Sequence, residues 1–140
     1  MDTKRILAKI DEINRYQDEL NEIMPSSLDE YISSNEKRRA CERLLQILIE
    51  SVIDICYILN TSLNLGIPSD DEDVFSKLKA RKVISQKTSL ILNEMKGFRN
   101  ILVHKYGKVD DEIVFEMLTE NLSDFDMFKE EILKFINYNK

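Results

Sequence analysis

Little in this sequence interrupts a helix. Its 140 residues include three glycines and two prolines. With 43% hydrophobic and 33% charged residues, that scarcity suits a globular helical protein and argues against disorder. Long apolar runs are also missing. No apolar stretch follows a basic start, and none approaches the roughly eighteen residues that cross a bilayer, so the expectation is a soluble cytoplasmic protein with no membrane contact. Cysteine occurs twice. Cys41 and Cys56 fall in one predicted helix at a separation of roughly 22 Å, which excludes a bridge between them and leaves reduced core thiols. Histidine occurs once, as His104. At this length the chain is expected to form one domain over residues 1–140, large enough to bury a core and too short for two.

Charge is unevenly spread. The net charge is −6, yet Val74 to Val109 holds nine basic residues against Glu94 alone, a local +8 that leaves −14 for the remainder. Such charges are either solvated helix faces or a basic surface that meets phosphate while acidic ends keep the protein soluble.

Apolar spacing of three, four and seven residues runs through Ile6, Ile10, Ile13 and Leu20 and predicts a first helix ended by Pro25. Ser27 and Glu30 form a capping-box pattern for a short turn of helix. A long helix follows the polar break at residues 33–35 and carries Leu44, Leu45, Leu48, Val52, Ile55, Leu59 and Leu63, with Gly66 and Pro68 as its stop. Its apolar surface is wider than one stripe, as in a central helix packed on several sides or one that also serves a dimer. Asp70 to Asp73 favour the positive end of a third, short helix; the run lacks the glycine and glutamate of a calcium loop. Ser85 caps a fourth helix, with Gly107 as its left-handed terminus, and Asp110 caps a final stretch broken near residues 121–123. Neither a strand nor a repeat is evident. The predicted architecture is an all-α, up-and-down bundle of four to five main helices.

The lone histidine lies in RNILVHKY, residues 99–106. On a helix, Arg99 and His104 project roughly 140° apart, Asn100 and His104 share a face, and Arg99 and Tyr106 nearly do. Two copies meeting across a two-fold axis would let arginine and histidine from both chains converge. Such a set can run attack of a ribose 2′-hydroxyl on its own phosphate, with no metal or other cofactor. His104 would take the proton, Arg99 would hold the phosphate oxygens, and Asn100 would orient the imidazole. The same residues also read as polar groups finishing a helix. Lys96, Lys105 and Lys108 are the candidate contacts to RNA.

The stretch GFRNILVHKYGKVDDEIVFEML resembles the signature of the HepT-like family within the HEPN superfamily, whose pattern is arginine, four residues, histidine, one residue, tyrosine. Arg99, His104 and Tyr106 fill all three places. ERLLQILIESVID, residues 42–54, is similar to the family's long-helix segment. The resemblance implies a symmetric homodimer with Arg99 and His104 lining a shared cleft, and a metal-independent endoribonuclease acting as a toxin on transfer or messenger RNA. It further implies an MNT-type nucleotidyltransferase antitoxin that places AMP on Tyr106, where added negative charge competes with substrate phosphate for Arg99. The rival expectations are a non-catalytic HEPN module that binds nucleotide, RNA or the transferase, and a plain structural helical dimer.

Overall fold

Asp2 caps the first helix, α1 (Thr3–Glu22), by accepting the Arg5 amide. In the computed structural model, which describes residues 1–103 and 109–138, the predicted stripe of Ile6, Ile10, Ile13 and Leu20 is the buried face of α1. The Asp2 amide donates to Ser62 Oγ at 3.1 Å, and Lys9 pairs with Asp54 at 3.3 Å. These ties run the start of α1 beside the end of α3 (Asn35–Ser62), so the two are antiparallel.

Between them stands α2 (Leu28–Ser33). Ser27 Oγ accepts the Glu30 amide at 3.1 Å, one half of the expected capping box. The other half is shifted by one residue: the Glu30 carboxylate accepts the Ser26 amide at 3.1 Å and Lys37 Nζ at 2.7 Å. Lys37 first, then Ser26, hold the Glu30 carboxyl down at about 2.

Helix α3, about 42 Å long, is packed on several sides. From Ser51 to Asn60 only Asp54 is exposed, and α1, α2, α4 and α5 all lie against it. It is long and apolar enough to span a membrane, but 61% of its most apolar window is buried inside the bundle, as befits a core helix. Its end differs from the expected stop. Leu65 N donates to Asn60 O at 3.1 Å and Asn64 N to Thr61 O at 3.1 Å, a Schellman closure whose left-handed residue is Asn64 (φ 54°). Gly66 lies two residues beyond, and its carbonyl accepts Asn60 Nδ2 at 2.8 Å.

Helix α4 (Asp71–Ala80), capped by Asp70, closes by the same device. Val83 N donates to Leu78 O at 2.9 Å and Lys82 N to Lys79 O at 3.0 Å, with Lys82 in the left-handed region (φ 66°) and Val83 buried. Ser85 caps α5 (Gln86–Leu102) as expected, and Asp110 caps α6 (Asp111–Glu120). The predicted break then separates α6 from α7 (Ser123–Tyr138). Helix α7 buries Phe125, Phe128, Ile132 and Ile136. Its Glu131 carboxylate accepts the Ser85 amide and the Thr88 hydroxyl, which fixes α7 to the start of α5. Helix α2 meets α6 through Tyr31 and Phe115, edge to face at 6.2 Å.

Among the described residues the protein is therefore all-helical, with four long helices (α1, α3, α5, α7) and three shorter ones. Cys41 and Cys56 are free and buried. Burial pushes the Cys41 thiol up to about 11 and the Cys56 thiol further still, so both stay protonated.

Candidate active site on the last turn of α5

Helices α4 and α5 form an antiparallel hairpin, which brings the acidic start of α4 against the basic end of α5. Arg99 Nη2 donates to Asp71 Oδ2 at 3.1 Å and to Asn100 Oδ1 at 3.3 Å. The other Asp71 oxygen, Oδ1, accepts Tyr57 OH from α3 at 2.7 Å. Three helices thus converge on one carboxylate. The side chains of Arg99 and Asp71 are 23% and 19% exposed, a pair shielded enough to hold its geometry yet wet enough to escape the full cost of burying charge. Burial, then the bond to Asp71, pushes the Tyr57 hydroxyl up to about 12, so Tyr57 is a donor at any working pH.

One turn earlier on α5, Lys96 Nζ pairs with Glu72 Oε1 at 3.0 Å. The acidic run of residues 70–73 therefore does more than complement the helix dipole. Asp70 accepts the Asp73 amide, Asp71 holds Arg99, Glu72 holds Lys96, and Asp73 accepts the Ser69 amide and pairs with Lys77 at 3.2 Å. Among the described residues no group of three or more His, Cys, Asp or Glu side chains is placed to hold a metal ion.

These pairings also divide the basic segment. Lys77, Lys96 and Arg99 are matched by α4 acids. Lys79, Arg81, Lys82 and Lys87 have no acidic partner among the described residues and cluster at the opposite end of the hairpin. A depression of about 640 Å³, lined in part by Arg81, Lys82, Glu131 and Lys134, lies there too, roughly 21 Å along α5 from Arg99. It is not a site for chemistry at Arg99.

Of the residues singled out from sequence, Arg99, Asn100 and Lys96 are on α5, and the structure brings Arg99 and Asn100 together. Helix α5 closes at Leu102, where the Val103 amide donates to Arg99 O at 3.1 Å. The motif is expected in the last two turns of this helix, and of its residues Arg99 to Leu102 form the last turn. His104, Lys105, Tyr106 and Lys108, with the expected cap Gly107, lie outside the described residues. Asp71 and Tyr57 were missed as site residues. Asp71 is 28 residues from Arg99, and only the clustering of acids before one helix and bases at the end of the next hints at the pairing.

The chemistry available at Arg99 follows from its donors. Nη2 is engaged by Asp71 and Asn100, while Nη1 and Nε have no partner among the described residues. A guanidinium held in this way offers its remaining N–H groups to an incoming phosphate.

Comparison with known proteins gives this geometry a family. Over 131 residues the chain is 28% identical to the tRNA nuclease HepT of Aphanizomenon flos-aquae, spanning 94% of this chain and 89% of that one. It is 38% identical over 84 residues to the mRNA nuclease HepT of Shewanella oneidensis, 60% of this chain and 63% of the relative. Among solved structures, the tri-AMPylated Shewanella oneidensis HEPN toxin in complex with its MNT antitoxin superposes with a TM-score of 0.84 at 29% identity, covering 92% of this chain and 96% of that one. The Ribonuclease HepT-like family model matches residues 8–132, and with that match the chain belongs to the HepT-like ribonuclease family.

Proposed function

We propose that this protein is the toxin of a toxin–antitoxin pair: a single helical domain that dimerises symmetrically in the cytoplasm and cleaves RNA without a metal ion. The observation that carries the reading is Arg99, held at the last turn of α5 by Asp71 and Asn100, within a chain matched to the family over nearly its whole length. In the proposed reaction His104 removes the ribose 2′-hydroxyl proton, the oxygen attacks the adjacent phosphorus, and the 5′-oxygen leaves. Arg99 neutralises the charge that builds on the phosphate oxygens. Asn100 helps to orient the guanidinium. Lys105 and Lys108 are proposed to meet the flanking phosphates, with Lys96 joining them once it releases Glu72.

Dimerisation is supported by apolar surface around this region. Ile101, Val103 and Ile113 are 41–44% exposed and flank the segment that carries His104, so a second copy would cover them. Relatives act on different RNAs, tRNA in one case and mRNA in another, so both are candidate substrates. The AMPylated relative bound to its MNT antitoxin supports a nucleotidyltransferase partner here, with Tyr106 as the acceptor of AMP.

The test is cleavage of total cellular RNA by the purified, unmodified dimer in chelator, beside His104→Ala. Cleavage lost in the variant with fold and dimer intact is the expected result. No cleavage by unmodified, folded protein would overturn the nuclease reading and leave a non-catalytic HEPN module. Incubation with the cognate transferase and ATP is expected to add AMP mass to wild type and none to Tyr106→Phe.

A further inference from the structure

We infer that Asp71, oriented by Tyr57, is the positioning residue that aims the Arg99 guanidinium. The inference rests on the nuclease reading above, and it deepens that reading by adding two residues from two other helices.

Arg99 has four rotatable side-chain bonds, and α5 closes three residues beyond it, so nothing on its own helix except Asn100 restrains the guanidinium. A phosphate held in flight to a pentacovalent state needs donors fixed to within a fraction of an ångström. Asp71 supplies that restraint from the first turn of α4, and its carboxylate cannot rotate freely because Tyr57 OH holds the opposite oxygen at 2.7 Å. Tyr57 itself projects from the nearly enclosed half of α3. The chain Tyr57, Asp71, Arg99 therefore connects the central, most enclosed helix of the bundle to the charge proposed to meet substrate. By contrast, the neighbouring pairs Glu72 with Lys96 and Asp73 with Lys77 have no third helix behind them.

Electrostatics makes this role distinguishable from a merely structural or neutralising one. Asp71 is an anion beside the group that binds an anion, so it opposes RNA binding. Removing its charge while keeping its shape should leave RNA bound as tightly or more tightly, yet slow the chemical step because the guanidinium is no longer aimed.

The experiment uses the full-length dimer with an RNA that the wild type cleaves, measuring kcat and KM for Asp71→Asn, Asp71→Glu, Tyr57→Phe and the control Asp73→Asn. Expected are a fall in kcat of about tenfold or more for Asp71→Asn with unchanged or lower KM, and a smaller fall for Tyr57→Phe. Asp71→Glu should recover part of the loss, and Asp73→Asn should match wild type. Circular dichroism and sedimentation establish that each variant is a folded dimer. A kcat for Asp71→Asn within twofold of wild type overturns the inference, as does an equal loss in Asp73→Asn. Wild type that cleaves, with Arg99→Ala inactive and Asp71→Asn normal, removes the positioning role alone; wild type that never cleaves removes the nuclease reading beneath it.

Discussion

If Asp71 joins Tyr57 to Arg99, the two outer residues must be energetically coupled even without RNA, although their own side chains share no hydrogen bond. Tyr57→Phe deletes a 2.7 Å hydrogen bond to a carboxylate. Hydrogen bonds to charged groups are worth about 1.5–3 kcal/mol. Asp71 is 19% exposed, so water replaces part of the lost bond and the expected cost is about 1 kcal/mol. Arg99→Ala breaks an ion pair that is neither fully exposed nor fully buried, which places its cost at about 1–2 kcal/mol. Once Arg99 is gone, the Asp71 carboxylate is free to turn toward solvent, and Tyr57 then has less to lose. The double variant should be less destabilised than the two single losses together, by about 0.5–1 kcal/mol. The assay is urea denaturation of all four proteins at one dimer concentration, since association contributes to apparent stability. Additivity within about 0.3 kcal/mol would refute the chain and reduce the three-residue contact to two independent pairs.

Other consequences can be checked by simpler measurements. Phe128 is fully buried on α7, so Phe128→Ala should cost about 3–5 kcal/mol and lower Tm by roughly 10 °C in a thermal melt; a drop of a degree or two would mean that α7 is not part of the core. Lys82 sits at φ 66°, a conformation that costs a non-glycine residue about 1–2 kcal/mol. Lys82→Gly should therefore stabilise the protein by about 0.5 kcal/mol after the added freedom of the unfolded chain is subtracted, and destabilisation in denaturant would show that the lysine side chain contributes instead. The Glu30 carboxyl is held at about 2 against an ordinary 4.5. Because the folded value lies below the unfolded one, its support for the start of α2 is present in full above pH 4.5 and disappears as pH falls toward 2. Carbon-13 NMR titration of Glu30 should give the lowered midpoint in wild type and a shift back toward 4.5 in Lys37→Met; an ordinary midpoint in wild type would mean that the contact does not form.

Much of the fold was legible because the helices declare themselves by periodicity and caps. Ile6, Ile10 and Ile13 are buried where their spacing put them, and Ser85 and Asp110 cap the helices they were expected to cap. What the sequence concealed is of two kinds. The end of α3 differs from the expected stop because a non-glycine residue takes the left-handed position: Asn64 closes α3 two residues before Gly66, since a Schellman turn needs only a tolerable positive φ and an apolar contact, here the partly buried Leu65. The other concealed feature is long-range pairing. Arg99 announces itself through its motif, but Asp71 looks like any acid at a helix start and Tyr57 like one more residue in an apolar run. Their meeting depends on how three helices pack, which no local pattern encodes. The charge segregation was real in sequence, yet the structure cancels part of it at the Arg99 end and leaves Lys79, Arg81, Lys82 and Lys87 uncompensated at the other.

In the proposed reaction a ribose 2′-hydroxyl, not water, attacks the phosphate held by Arg99. The most direct measurement is mass spectrometry of the RNA ends released by the unmodified protein in chelator, with Arg99→Ala alongside. Wild type is expected to release 2′,3′-cyclic phosphate and 5′-hydroxyl ends, and the variant neither. Products bearing 5′-phosphates, or cyclic phosphate ends that persist undiminished in Arg99→Ala, would contradict this mechanism.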